Sequence, residues 1–191
     1  KKILIHGGTS GIGLAAIQIC NLFKSEVFST VGSDEKKQFL KKLNVKHSIN
    51  YKKEDFFEEI KTNFGGVDLI LDFIGGDYIK KNINLLNNDG RLINIGFQKG
   101  SITELNLIKI MLKRLIITGS TLRIRDNKFK AKVSKEIQKF ILPLLENGKI
   151  KIFVDSVFNF EDVVNAHKRI DMGTHIGKIV LNLKDSLWEN L

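Results

Sequence analysis

An α/β fold built on a doubly wound parallel sheet is what this sequence predicts, and three observations predict it. Short apolar runs of strand type alternate with stretches of helical period through residues 3–118. Six such runs each feed a helix, which calls for a parallel sheet with helices on both faces. The run 67–73 is apolar except for Asp68 and Asp72, the mark of a strand buried on both sides. Right-handed crossovers then favour the strand order 3-2-1-4-5-6, the Rossmann arrangement.

The elements follow in order. Residues 3–6 read as the first strand, and Ile12, Ala15, Ala16, Ile19, Cys20 and Phe23 follow at helical spacing. Residues 27–31 form the next strand, before a lysine-rich helix over 34–43. A short strand spans 47–50. Helix 54–64 carries Phe56, Phe57 and Ile60 on one face. After the buried run come helix 77–86, a turn at Asn88-Asp89-Gly90, strand 91–95, helix 105–112 and strand 115–118. Beyond Leu122 the alternation stops. A long helix is expected over 128–146, then strand 150–154, helix 161–172 and strand 177–183. These tail elements read as a different layer. The division is a nucleotide-binding domain over 1–148 and a C-terminal segment over 149–191.

Composition narrows the function classes. The chain has 191 residues, 42% hydrophobic and 27% charged, an ordinary globular balance. No apolar run approaches the roughly 18 residues that cross a bilayer. A single cysteine, Cys20, cannot form an internal disulfide or a cysteine-rich zinc site, and it fits a reducing, cytoplasmic setting. Lys and Arg number 31 against 21 acids, for a net charge of +10. Phosphate-bearing ligands suit that balance, but no compact basic block points to nucleic acid. His6, His47, His167 and His175 are scattered, so no metal site is expected. The chain opens directly on a strand with no initiator Met, as if excised from something longer.

The strongest site signal is His6-Gly7-Gly8-Thr9-Ser10-Gly11-Ile12-Gly13. It leaves the first strand and opens the first helix. Glycines there let the backbone approach a pyrophosphate, and the free N–H groups of the helix N-terminus bind it. Gly8 and Gly13 fit the outer positions of G-x-G-x-x-G, while Ser10 takes the middle one. The loop also fits short-chain dehydrogenases through Gly7, Gly11 and Gly13. Those enzymes need Tyr followed four residues later by Lys. Here Tyr51 is followed at that distance by Asp55 and Tyr78 by Asn82, which removes that reading.

The second strand ends Val31-Gly32-Ser33, where an NAD site usually places an acid. Gly32 leaves room instead, Ser33 can donate to a phosphate, and Lys36 lies one turn into the next helix. Asp34 and Glu35 are the competing candidates for a ribose acid. Their other role is to complement the helix dipole behind a Ser33 N-cap. The balance favours a 2′-phosphate, and hence NADPH.

With these residues in view the sequence resembles the zinc-free, zeta-crystallin-like quinone oxidoreductases of the medium-chain dehydrogenase/reductase family, in their p53-inducible type. The resemblance rests on residues 6–13, 31–36, 49–56 and 65–68, on Gly90-Arg91-Leu92 with Ile95-Gly96-Phe97, and on 119–123, and it runs in order from Ile3 to about Leu183. It implies hydride transfer from NADPH to a quinone-like acceptor. Pyrophosphate contacts would fall on Ser10, Gly11, Ile12 and Gly13, with Thr9 beside them in the cofactor-binding set, and 2′-phosphate contacts on Ser33, Lys36 and Tyr51, beside Gly32. Phe73, Ile74 and Gly75, with Ile95, Gly96 and Phe97, would line the adenosine and nicotinamide paths, and Ser120, Thr121 and Leu122 complete the set. The family's catalytic domain is mostly N-terminal, so no catalytic residue is assigned here. The segment from Lys149 would return to that incomplete catalytic domain. Its Ile150, Ile152, Val154, Ile179 and Leu181 would then be exposed, mobile or paired with a neighbouring chain. An enoyl or alkenal reductase is the alternative acceptor class, and a non-enzymatic nucleotide- or RNA-binding module the alternative role. The edge strand near Ile117 has no Pro or inward charge, and two chains are expected to join there as a homodimer.

Overall fold

Six parallel strands form the sheet in the order β3-β2-β1-β4-β5-β6, seen in a computed structural model that describes residues 1–183. They are β1 (Lys2–Ile5), β2 (Glu26–Val31), β3 (His47–Asn50), β4 (Val67–Asp72), β5 (Leu86–Asn94) and β6 (Ile116–Gly119). The helices between them are α1 (Gly11–Leu22), α2 (Asp34–Lys41), α3 (Phe56–Phe64), α4 (Asp77–Leu85) and α5 (Ile108–Lys113). Alternation along the strands splits the core in two. Leu4, Phe28 and Ile70 face one layer with Phe56, Ile60 and Ile79. Ile5, Val27 and Val31 face the other, with Leu14, Ile17 and Leu40. Each of the early helices starts on a polar cap: Ser10 Oγ accepts from the Gly13 N–H (3.0 Å), Ser33 Oγ from Lys36 (3.3 Å) and Asp55 Oδ1 from Phe57 (2.9 Å).

The expected turn at residues 88–90 lies inside β5. Val67 pairs with Leu86, and the next ladder pair is Leu69 with Arg91, so the extra β5 residues bulge out. Asp89 sits there at φ +61°, and the bulge carries the turn without ending the strand. The helix expected over 105–112 is shorter and begins later, at Ile108.

The long helix expected over 128–146 is two helices, α6 (Asn127–Phe140) and α7 (Leu142–Glu146). Pro143 sits in the first turn of α7, where its missing N–H is not needed. The strand expected over 150–154 is absent. Gln18 on α1 holds that stretch instead, accepting from the Lys151 N–H (2.8 Å) and donating to its carbonyl (3.0 Å). Ile150 is buried, not exposed as expected. The strand of this region is β7 (Val154–Asn159), followed by a 3₁₀ turn (Phe160–Asp162), α8 (Val163–Asp171) and β8 (Lys178–Asn182). β7 and β8 pair in parallel as a separate two-stranded sheet, so the tail does form its own layer. It returns to the glycine loop, where the Gly177 N–H donates to the Thr9 carbonyl (2.9 Å). The C-terminal residues 184–191 of the segment lie outside the described residues.

Candidate nucleotide site

The loops leaving β1, β2 and β4 converge at the carboxyl edge of the sheet and enclose a cleft of about 440 Å³. Ligands of doubly wound sheets bind at this edge, where the strand order reverses between β1 and β4. Gly7 takes φ +61° and lies against the Phe73 ring, so a side chain there would be both strained and crowded. Gly13 packs onto the Gly7 carbonyl, which draws the N-terminus of α1 tight under the loop.

A buried polar network fixes this loop from beneath. Asn82 Nδ2 donates to Asp72 Oδ2 (3.2 Å), which leaves Asn82 Oδ1 to accept from His6 Nε2–H (2.9 Å). His6 Nδ1 then accepts from the Thr30 hydroxyl (3.1 Å), and Thr30 Oγ1 accepts from the Gly7 N–H (3.2 Å). The neutral Nε2–H tautomer satisfies every member of the chain. Burial pushes the His6 pKa below the usual imidazole value, against the pull of Asp72 and Asn82. Asp72 also accepts from the Ile74 N–H (2.7 Å) and from Asn94 Nδ2 (3.2 Å), tying the β4 and β5 exits together.

Of the residues predicted for the site, Thr9, Ser10, Gly32, Lys36, Tyr51, Phe73 and Ile74 line the cleft. Gly32 is needed for closeness: a Cβ there would sit 2.9 Å from Tyr51 Oη. Gly11, Ile12 and Gly13 form the first turn of α1 beneath it, and Ser33 caps α2 at its rim. Gly75 is buried against the loop after β5. Ile95 extends the β5 ladder, with its N–H on the Asp72 carbonyl (2.8 Å), and Gly96 rests on Phe73. Phe97 is half exposed, so it is not plain core. Ser120, Thr121 and Leu122 lie exposed beyond β6, outside the cleft wall.

The structure adds wall residues that the sequence reading missed. Gln98 and Lys99 enter because their N–H groups bond the carbonyls of Phe73 (3.0 Å) and Ile74 (2.7 Å). Tyr78 lies beneath them, with the Lys99 ammonium 4.8 Å above its ring. Burial raises the Tyr78 hydroxyl to about 12, so it stays protonated. From the tail come Ile170, Gly173 and His175. No strand–turn–helix signal marks those three, because the tail reaches the cleft only through the fold.

The charged groups of the cleft are unevenly distributed. The cations Lys36 and Lys99 line it with the imidazole of His175, and among the described residues no Asp or Glu does. Burial, then neighbouring Lys52, holds the Lys36 pKa below its usual value. Its Nζ donates to the Gly173 carbonyl (2.7 Å). Asp34, a competing ribose acid, is committed elsewhere: it accepts from Lys53 (2.6 Å) and Asn50 (2.8 Å), contacts that hold its carboxyl below the usual range. Glu35 is likewise held low, first by the Ser33 hydroxyl.

A family model described as zinc-binding dehydrogenase matches residues 43–181. The chain belongs to this family. Its six-stranded sheet and glycine loop make it the NAD(P)-binding domain of these dehydrogenases. Polyketide synthase 37 of Dictyostelium discoideum is 34% identical across the whole chain, which covers 6% of that protein. Among solved structures, the Escherichia coli quinone oxidoreductase complexed with NADPH is 26% identical with a TM-score of 0.80, over 95% of this chain and 56% of that one. The CurK enoyl reductase is 29% identical with a TM-score of 0.78, over 96% and 55%. The chain thus spans a small part of the synthase and about half of each reductase. The family description names zinc, yet among the described residues no three His, Cys, Asp or Glu side chains come together to hold a metal.

Proposed function

We propose that this chain is the NADPH-binding part of a zinc-independent reductase of the quinone oxidoreductase branch. The carrying observation is the charge of the cleft: Lys36 stands beside Gly32 and Tyr51, and no carboxylate lines the wall where an NAD site would use one. A dianionic 2′-phosphate gains charge-assisted hydrogen bonds from that ammonium. Thr9 and Ser10, with the N–H groups of the first turn of α1, would hold the pyrophosphate. Phe73 and Ile74 would exclude water along the path to the nicotinamide. When bound, NADPH supplies the hydride. This chain's part is to bind and orient it, and the wall across the ring belongs to residues outside the chain.

The acceptor is a conjugated carbonyl, with a quinone as the first reading. An enoyl thioester is the second, favoured by the likeness to a polyketide synthase along the whole chain and to an enoyl reductase structure. The test is NADPH oxidation by the full-length protein with a simple quinone and with an enoyl thioester, beside this chain alone. Turnover by the full-length protein with one acceptor and none by the chain is expected. Comparable turnover by the chain would place catalysis here and overturn the division of labour. Positioning contributes roughly 7–11 kcal/mol to a bimolecular step, enough for its loss to silence the chain.

Two further readings belong to the same proposal. Two chains join along the β6 edge, where Ile116 and Ile117 are 46% and 41% exposed. The protein works in the cytoplasm, where the free thiol of half-buried Cys20 persists reduced.

A further inference from the structure

His175 stands in the wall of the cleft, far from every motif that marks the site in sequence. Among the described residues, its Nδ1 is the one buried side-chain nitrogen or oxygen without a hydrogen-bond partner. Such an orphan in an otherwise satisfied structure asks for an explanation. The loop that carries it is held on both sides. Arg169 forks onto Asp155 (2.9 and 3.0 Å) and donates to the Thr174 hydroxyl (2.5 Å). The Ile176 N–H donates to Asp155 Oδ1 (2.9 Å), and the Gly177 N–H to the Thr9 carbonyl (2.9 Å). His175 is therefore presented by a fixed loop, and the neighbouring guanidinium is already spent on Asp155.

Desolvation, with the Lys36 and Arg169 charges, pushes the His175 pKa below the usual imidazole value, and Asp155 opposes only in part. The ring is neutral at pH 7 and carries one proton. Nδ1 is sealed from solvent, and a buried N–H with no acceptor is the rarer and costlier orphan. The proton thus belongs on Nε2, the nitrogen left to meet a ligand. Lys36 reaches the same loop through the Gly173 carbonyl and keeps two further donors for an anion.

We propose that His175 is a specificity-determining residue for the phosphorylated nucleotide, its Nε2–H donating to the 2′-phosphate that Lys36 holds. The inference rests on the NADPH reading and deepens it: the tail from β7 to β8 supplies part of the 2′-phosphate subsite. It predicts that discrimination between phosphorylated and unphosphorylated nucleotide depends on both Lys36 and His175.

The experiment titrates the chain with 2′,5′-ADP and with 5′-AMP, ligands that need only the adenosine side of the cleft. The unaltered protein should prefer 2′,5′-ADP. His175→Ala should lose about tenfold in 2′,5′-ADP affinity, the scale of one hydrogen bond to a charged group, and leave 5′-AMP unchanged. His175→Gln, which keeps a donor near the position of Nε2, should retain most of the preference. In the unaltered protein, the His175 ring resonances should move with 2′,5′-ADP and stay in place with 5′-AMP, a readout that needs no variant. No preference in the unaltered protein would overturn the NADPH reading together with this one. A preference lost in Lys36→Ala but kept in His175→Ala, or equal loss for both ligands in His175→Ala, would overturn the role of His175 alone.

Discussion

The two ends of the chain are built differently. From β1 through β5 most apolar side chains are enclosed between sheet and helices, with Leu4, Phe28, Ile70 and Leu92 fully buried and Ile12 and Phe23 among the exposed exceptions. Beyond Leu92, among the described residues, only Leu115, Ile150 and Ala166 join the buried apolar residues, while Ile102, Ile124 and Ile152 are 92%, 81% and 71% exposed. The first region closes its own core. The second presents apolar side chains along α5, β6, α6 and the β7–β8 pair. Exposed apolar surface on that scale is unusual for a self-contained domain. The glycine loop and Lys36 belong to the first region, and the second adds Ile170, Gly173 and His175 to the cleft wall.

Core truncation is the harshest way to break this contrast. Phe28→Ala should cost about 3–5 kcal/mol, because it removes a fully buried ring and leaves a cavity. Ile124→Ala should cost no more than about 0.5 kcal/mol, as for other exposed positions. Denaturant unfolding of the two variants checks both, and equal losses would erase the distinction. Ile117→Lys sharpens it from the other side. A lysine on an edge strand blocks strand addition, so under the proposed pairing along β6 the unaltered protein should sediment as a dimer and the variant as a monomer, with its unfolding midpoint within a few tenths of a molar. Dimers that persist would place the contact elsewhere.

The buried His6 gives the first region a pH signature. Its native pKa lies below its unfolded value of 6.5, so the unfolded chain binds the proton more readily. The stability that this provides is present above pH 6.5 and is lost as pH falls from there toward the native pKa, with a slope of at most about 1.4 kcal/mol per pH unit. His6→Gln should be less stable at pH 7.5 and flatter between pH 6.5 and 5. A parallel slope in that variant would assign the effect to other groups.

The legibility of the sequence follows the same division. Strand order and the glycine loop were readable because periodicity and the turn residues around Gly7 and Gly13 act locally. Lys36 was placed by its position one turn beyond the second strand, and Tyr51 only by the family resemblance. The break before Pro143 was readable in principle, since the lone proline of the chain marks it. The stretch 150–153 was not. Both backbone groups of its Lys151 bond to the side chain of Gln18, a pairing across 133 residues that no local pattern encodes. His175 stayed hidden for the same reason: it reaches the cleft through the Arg169–Asp155 pair and the return of β8 to the Thr9 carbonyl.

If a cleft that no Asp or Glu lines among the described residues selects the phosphorylated cofactor, Lys36→Ala should remove that selection. Binding of NADPH and NADH to the protein and to this variant should be titrated at low ionic strength, where the charge is least screened. NADPH should bind the unaltered protein more tightly. The variant should lose about 1.5–3 kcal/mol for NADPH, the range of a hydrogen bond to a charged group, and almost nothing for NADH. Equal loss for both cofactors, or an unaltered protein that prefers NADH, would contradict the account.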